Sequence, residues 1–137
     1  MDNLLGDIVG GMHVAKFVIV GGGHQQVAIA EALFLQGHDV ALFGFARYER
    51  PLAMQCKHLA HVLADADLIL GPTPCAQTTA CAPDNAYLNA PYHDIPVCIE
   101  DILTQMYEGQ VFIAGEVDAA TVALAHACGV HIVDITK

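Results

Sequence analysis

Four short apolar runs in this 137-residue chain end on the same residue type. Val20, Phe43, Leu70 and Ala114 are each followed at once by glycine, at Gly21, Gly44, Gly71 and Gly115. The runs span Lys16 to Val20, Asp39 to Phe43, Asp67 to Leu70 and Gln110 to Ala114. Continuous apolar runs of this length read as strands buried on both faces. A fifth run, Val130 to Ile135, lies near the end of the sequence. Helical stretches separate most of them. Gln25 to Gln36 carries apolar residues at 29, 33 and 34 among small alanines and stops at Gly37. Residues 53 to 64 can form a helix, as can Glu100 to Tyr107, whose acids favour a first turn. Val117 to Cys128 is a further helix, stopped by Gly129.

Strands that alternate with helices predict a parallel sheet covered by helices on both faces. The fold class is therefore α/β: a three-layer, flavodoxin-like or Rossmann-like domain with a five-stranded parallel sheet in the order 2-1-3-4-5. Residues 1–14 read as a lead-in segment of undecided conformation, and residues 15–137 as the domain. Cys75 to about Pro96 reads as a long polar loop.

Ligands on such sheets bind outside the carboxyl ends of the strands. The loops at Gly21 to Gln26, Gly44 to Arg50 and Gly71 to Thr79 should then share one rim, with Gly115 to Asp118 beside them. The first of these, "GGGHQQ", has the look of a dinucleotide loop. The G-x-G-x-x-G pattern needs a last glycine for close helix-strand contact and an acid after the second strand for the ribose. Gln26 stands at the glycine, and Gly44 and Phe45 stand where the acid should be. Both discriminating features are missing. The start of the helix still offers unpaired N–H groups to an anion such as a carboxylate. A bare βα turn explains the same residues.

Charge narrows the partners. Five Lys and Arg against fifteen Asp and Glu leave a net charge of -10, which repels a nucleic-acid backbone and anionic lipid. No run is long enough to span a bilayer, and the N-terminus has no basic region of the signal-peptide kind. A cytoplasmic location is expected. The five cysteines, Cys56, Cys75, Cys81, Cys98 and Cys128, show no C-x-x-C spacing and read as free thiols.

His58 and His61 fall on one helix face, but nothing completes a ligand set around them. No metal is expected, and a solvated face accounts for the pair. "GPTPCAQTT" offers neutral donors and acceptors, Thr73 foremost, at the end of the third strand. Cys75 has no histidine assigned beside it, so it is a poor nucleophile candidate. A response-regulator reading fails because glycines and "GPTP" occupy the places of its acids.

In their order and spacing, "VGGGHQQ", "LFGF", "ADLILGPTP", "GQVFIAG" and "VHIVDI" resemble the N-terminal domain of the dipicolinate synthase A subunit. The resemblance covers nearly the whole chain from Ala15. It implies the substrate-side domain of an NAD(P)-dependent oxidoreductase of spore-forming bacteria. NAD(P) is expected on a C-terminal domain that this chain lacks, with no cofactor in the chain itself. The isolated chain should then be inactive, with catalytic residues unknown.

The resemblance also implies a small dicarboxylate ligand, and the dipicolinate synthase B subunit in the role of partner. The family loop reads G-G-D-x-R-Q, so Gly23 here replaces an acid and Gln25 an arginine; Ala46 follows "GF" where the family has an aspartate. Candidate substrate-binding residues are Gly22, Gly23, Gln25, Gln26, Arg47 and Thr73. Two alternatives stay open: a stand-alone small-ligand or nucleotide-binding module, and a non-catalytic scaffold for a partner subunit. Each is compatible with a homo-oligomer.

Overall fold

The computed structural model describes residues 15–48, 58–82 and 85–136; for 78–82 and 85 it describes the backbone alone. In chain order the elements are β1 (Lys16–Val20), α1 (His24–Leu35), β2 (Asp39–Phe43), α2 (Leu59–Leu63), β3 (Leu68–Leu70), β4 (Ala76–Ala82), β5 (Asn85–Leu88), α3 (Ile99–Gln105), β6 (Val111–Ala114), α4 (Ala119–Ala127) and β7 (His131–Asp134). Residues 1–14, and the 53–57 portion of the expected second helix, lie outside the described residues.

Five strands form one sheet in the order β2-β1-β3-β6-β7, and every pair is parallel. This is the expected 2-1-3-4-5 order, with β6 and β7 as its fourth and fifth strands. Central β1 explains the unbroken apolar run. Phe17 and Ile19 face a core completed by Val27, Ala30 and Leu33 of α1. Val18 and Val20 face a second core, with Leu59 and Leu63 of α2, Ile102 and Leu103 of α3, and Ala125 of α4. Side chains of a strand alternate between faces, so both parities must be apolar when both faces are covered.

The helices are unequally shared: among the described residues α1 has one face of the sheet, while α2, α3 and α4 have the other. The last of these begins at an effective cap, since the Asp118 carboxylate accepts the Thr121 amide at 2.8 Å. Helix α1 has no polar face, and Ile29, Phe34 and Leu35 are exposed on it.

Two expectations need correction. The stretch after Cys75 is no plain loop, because β4 and β5 pair antiparallel into a separate two-stranded sheet. Alanines dominate β4, so neither β-branched enrichment nor apolar alternation marks it. Backbone bonds then tie the exit of the hairpin into the domain: Leu88 donates to Val97 at 2.7 Å and Asn89 to Cys75 at 3.0 Å. Second, the cysteines are not all free, because Cys98 is disulfide-bonded while Cys75 and Cys128 are free. Chain spacing carries no sign of such a bond, which depends on Cα atoms brought close by the fold.

Candidate functional site

The carboxyl-end loops do converge. Gly21, which follows β1, donates its amide to the carbonyl of Phe43 at the end of β2, 2.8 Å away. Gly22 donates to Asn89, also at 2.8 Å. Gly23 donates to the side-chain oxygen of Gln26 at 2.8 Å. All three glycine amides of the supposed phosphate loop thus meet groups of the chain itself. Gly21 and Gly22 stand at φ +72° and +97°, a region that favours glycine. A Cβ on Gly21 would come within 2.7 Å of Leu88 and 2.9 Å of the Asn89 carbonyl. The glycines therefore admit the segment leaving the β4–β5 hairpin, which lies where a pyrophosphate would have to approach.

The sequence candidates separate accordingly. Gln26 is buried and its side-chain oxygen caps the helix start, whereas Gln25 is exposed. The amides of His24 and Gln25 have no partner among the described residues. Arg47 is exposed; its amide donates to the Tyr92 carbonyl at 2.6 Å and its guanidinium to the Pro91 carbonyl at 2.8 Å. No carboxylate pairs with it among the described residues. Thr73, which precedes a cis peptide bond to Pro74, packs against Gly115 instead of reaching Gln26. The rim thus has two parts: Gln25 with Arg47 beside the glycine loop, and Thr73 with Gly115 at the ends of β3 and β6.

Between Gln25 and Arg47 lies a cluster that sequence reasoning missed. The Tyr48 hydroxyl is 3.0 Å from Nδ1 of His24, and the Tyr92 hydroxyl is 2.9 Å from Nε2. The two tyrosine rings meet edge to face with centroids 5.0 Å apart. Buried Phe45 backs Tyr48 at 6.3 Å. His24 opens α1, Tyr48 follows β2 and Tyr92 follows β5, so three connections supply the cluster. The only hint available from sequence is that "GFARY" puts an aromatic and a cation directly after a strand.

Cys75 is fully buried. Its thiol is pushed up to about 12, first by burial and then by the charges of Asp118 and Asp134. A thiol held protonated is a weak nucleophile.

A cleft of about 880 Å3 opens beside the rim, lined by Phe43–Ala46, His58–His61, His93–Val97 and the Asp101 face of α3. His58 and His61 are exposed, with rings 5.5 Å apart. Among the described residues no three His, Cys, Asp or Glu side chains gather as metal ligands. No described helix is long and apolar enough to cross a membrane.

Residues 16–136 match the family described as the N-terminal domain of the dipicolinate synthase A subunit. Among solved structures, the chain is similar to the dipicolinate synthase A chain from Bacillus subtilis. They share 18% identity at a TM-score of 0.70, with 88% of this chain and 40% of that chain covered. It is also similar to the dipicolinate synthase A subunit from Bacillus halodurans, at 15% identity and a TM-score of 0.67, with the same shares covered. At these identities the structures establish a shared fold, and the match spans 40% of their length. No curated protein matches the chain.

Proposed function

Because the chain belongs to the family of N-terminal domains of the dipicolinate synthase A subunit, we propose that it is the substrate-side domain of a dipicolinate-synthase-like, NAD(P)-dependent oxidoreductase of spore-forming bacteria. The observation that carries this reading is the inward commitment of the Gly21, Gly22 and Gly23 amides. A dinucleotide does not fit this loop: the donors that would hold its pyrophosphate are engaged, and Gly44 and Phe45, not an acid, stand directly after β2 where its ribose would be met. The nicotinamide nucleotide belongs on another domain, and no step through it is assigned to residues of this chain.

The remaining role is to hold a small dicarboxylate at the rim. Gln25 and Arg47 offer donors beside the glycine loop, and Thr73 offers a hydroxyl further along. Gly22, Gly23 and Gln26 shape the turn that presents them. A cytoplasmic location and partnership with the dipicolinate synthase B subunit go with the same reading.

Chemical-shift mapping with dipicolinate tests it. Shifts concentrated at residues 21–26, 47 and 71–79 are expected. Shifts confined elsewhere, or none up to tens of millimolar ligand, overturn the substrate-side role.

The exposed apolar side chains on α1 favour a second reading, a scaffold for a partner subunit. Ile29, Phe34 and Leu35 are 42%, 55% and 83% exposed on this one helix, and large exposed apolar surface marks contact sites. In that case α1 is protected from hydrogen exchange when the B subunit is added, and dipicolinate produces no shifts at the rim.

A further inference from the structure

The contacts of His24 fix what its cluster can offer a ligand. A neutral imidazole has one nitrogen that donates and one that accepts. One of Tyr48 and Tyr92 must then donate into the ring, and the other accepts from it. Only the accepting tyrosine keeps its O–H for anything else. An imidazolium donates from both nitrogens. Both tyrosine oxygens then accept, and both O–H groups are free to donate outward. Taking up one proton changes the cluster from one outward donor to two and adds a positive charge to the rim that carries Arg47.

The two hydroxyls lie at the two nitrogens of one ring, 3.0 and 2.9 Å away, whose hydrogen-bonding directions diverge, and so they stand farther apart than the two oxygens of one carboxylate. That separation suits two carboxylates on one small molecule better than the two oxygens of one carboxylate. Charge-assisted donors of this type form the stronger class of hydrogen bond. In a chain of net charge -10, they also offset the repulsion that any dianion meets on approach.

Among the described residues, Arg47, His93 and Asp94 are the ionisable groups beside the cluster, and in the sequence Glu49 and Arg50 follow Tyr48. Arg47 precedes Tyr48 and reaches back to Pro91. His93 and Asp94 follow Tyr92; they face each other at 3.8 Å, and the His93 ring packs against Phe43.

We infer that His24, Tyr48 and Tyr92 form a proton-coupled receptor for a small dicarboxylate: the ligand binds the imidazolium form, and each tyrosine hydroxyl donates to one carboxylate. This rests on the reading of the rim as a dicarboxylate site and names the groups that make it. The proton comes from solvent and stays on His24 while the ligand is bound, and no covalent bond changes.

Calorimetry of the chain with dipicolinate, in two buffers of different ionisation enthalpy, tests the coupling. The heats in the two buffers should differ by the ionisation enthalpy of the protons taken up per ligand, about one. Affinity should fall as pH rises, because the bound form holds one more proton than the free form. Isophthalate, which spaces two carboxylates alike without a ring nitrogen, should behave the same way. Tyr48→Phe and Tyr92→Phe keep the rings and should each weaken binding several-fold, with amide spectra otherwise like the wild type. His24→Gln should abolish the proton uptake.

If dipicolinate shifts the rim without proton uptake, and both tyrosine variants bind as the wild type does, the inference falls and the dicarboxylate site stands. If nothing binds at any pH between 5.5 and 8.5, both fall together. The wild-type heats decide the question even where a variant misfolds.

Discussion

Gly22 donates its amide to the carbonyl of Asn89, 2.8 Å away, so a loop with the outline of a phosphate cradle holds a piece of its own chain. With Gly21 and Gly23 also engaged, a nucleotide would have to displace native hydrogen bonds before it gained any. Titration of the chain with NAD or NADP should show no binding tighter than about millimolar, a free energy near -4 kcal/mol. Micromolar affinity would place the cofactor on this domain and contradict the account of the loop.

The same packing makes Gly21 intolerant of change. Its φ of +72° disfavours any L side chain, and an added Cβ would meet the Asn89 backbone at 2.9 Å. Gly21→Ala should destabilise the domain by about 2–4 kcal/mol. Urea denaturation read by circular dichroism measures this. A loss below about 0.5 kcal/mol, within the range of ordinary surface substitutions, would show that the hairpin exit is not seated on the glycine.

The sheet was readable because β1, β2, β3 and β6 are dominated by apolar runs, which is how strands buried on both faces look, while β7 (HIVD) is a partly exposed edge. β4 was not readable: "AQTTACA" is built of small residues and mixed in polarity, and its pairing with β5 depends on tertiary context. The glycine loop was legible as a turn with the wrong residues for a dinucleotide, but the identity of the group that occupies it was not. Asn89 lies more than sixty residues away in sequence. His24, Tyr48 and Tyr92 were invisible for the same reason, since no local spacing links three residues on separate connections. Arg47 was a candidate because a residue that follows a strand end falls at the carboxyl edge of the sheet, where the structure leaves it exposed. Thr73 was placed on the correct rim but not beside Gln26, because its side chain closes against Gly115.

Cys75 should resist thiol reagents in the folded chain at pH 8, while half-buried Cys128 reacts. The raised thiol also sets a direction for stability. The folded group keeps its proton up to about 12, whereas an unfolded cysteine releases it near the ordinary 9.0. Above pH 9 the unfolded state therefore binds fewer protons than the native state, and stability falls as pH rises toward 12. Cys75→Ala should flatten that part of the curve. An unchanged slope would assign the alkaline loss to other groups.

Asp118 connects two of these features. Its carboxylate caps α4 through the Thr121 amide and also raises the Cys75 thiol. Asp118→Ala should cost about 1 kcal/mol through the lost cap. It should also make Cys75 somewhat easier to ionise, though burial is the largest cause and remains. Asp118→Asn keeps a capping oxygen and removes the charge. It should retain most of the stability while shifting the alkaline transition by the same amount as the alanine variant.

Arg47 provides the sharpest test of local against global charge. Its amide bond to Tyr92 is a backbone contact and survives substitution, so Arg47→Ala should leave the fold intact while removing the guanidinium from the rim. Lys16→Ala removes the same unit of charge at the opposite end of β1, where Lys16 pairs with Asp65. Both variants take the chain from -10 to -11, one cation fewer than the five Lys and Arg present. If Arg47 meets a carboxylate of the ligand, Arg47→Ala should weaken dipicolinate binding by about tenfold, or 1.4 kcal/mol. Lys16→Ala should change it by less than about twofold, because at 0.15 M salt exposed charges beyond roughly 8 Å are largely screened. The Arg47 effect should shrink as salt is added, as expected for an exposed cation. Equal losses in the two variants would mean that the net charge sets the affinity, and Arg47 would then be no part of the site.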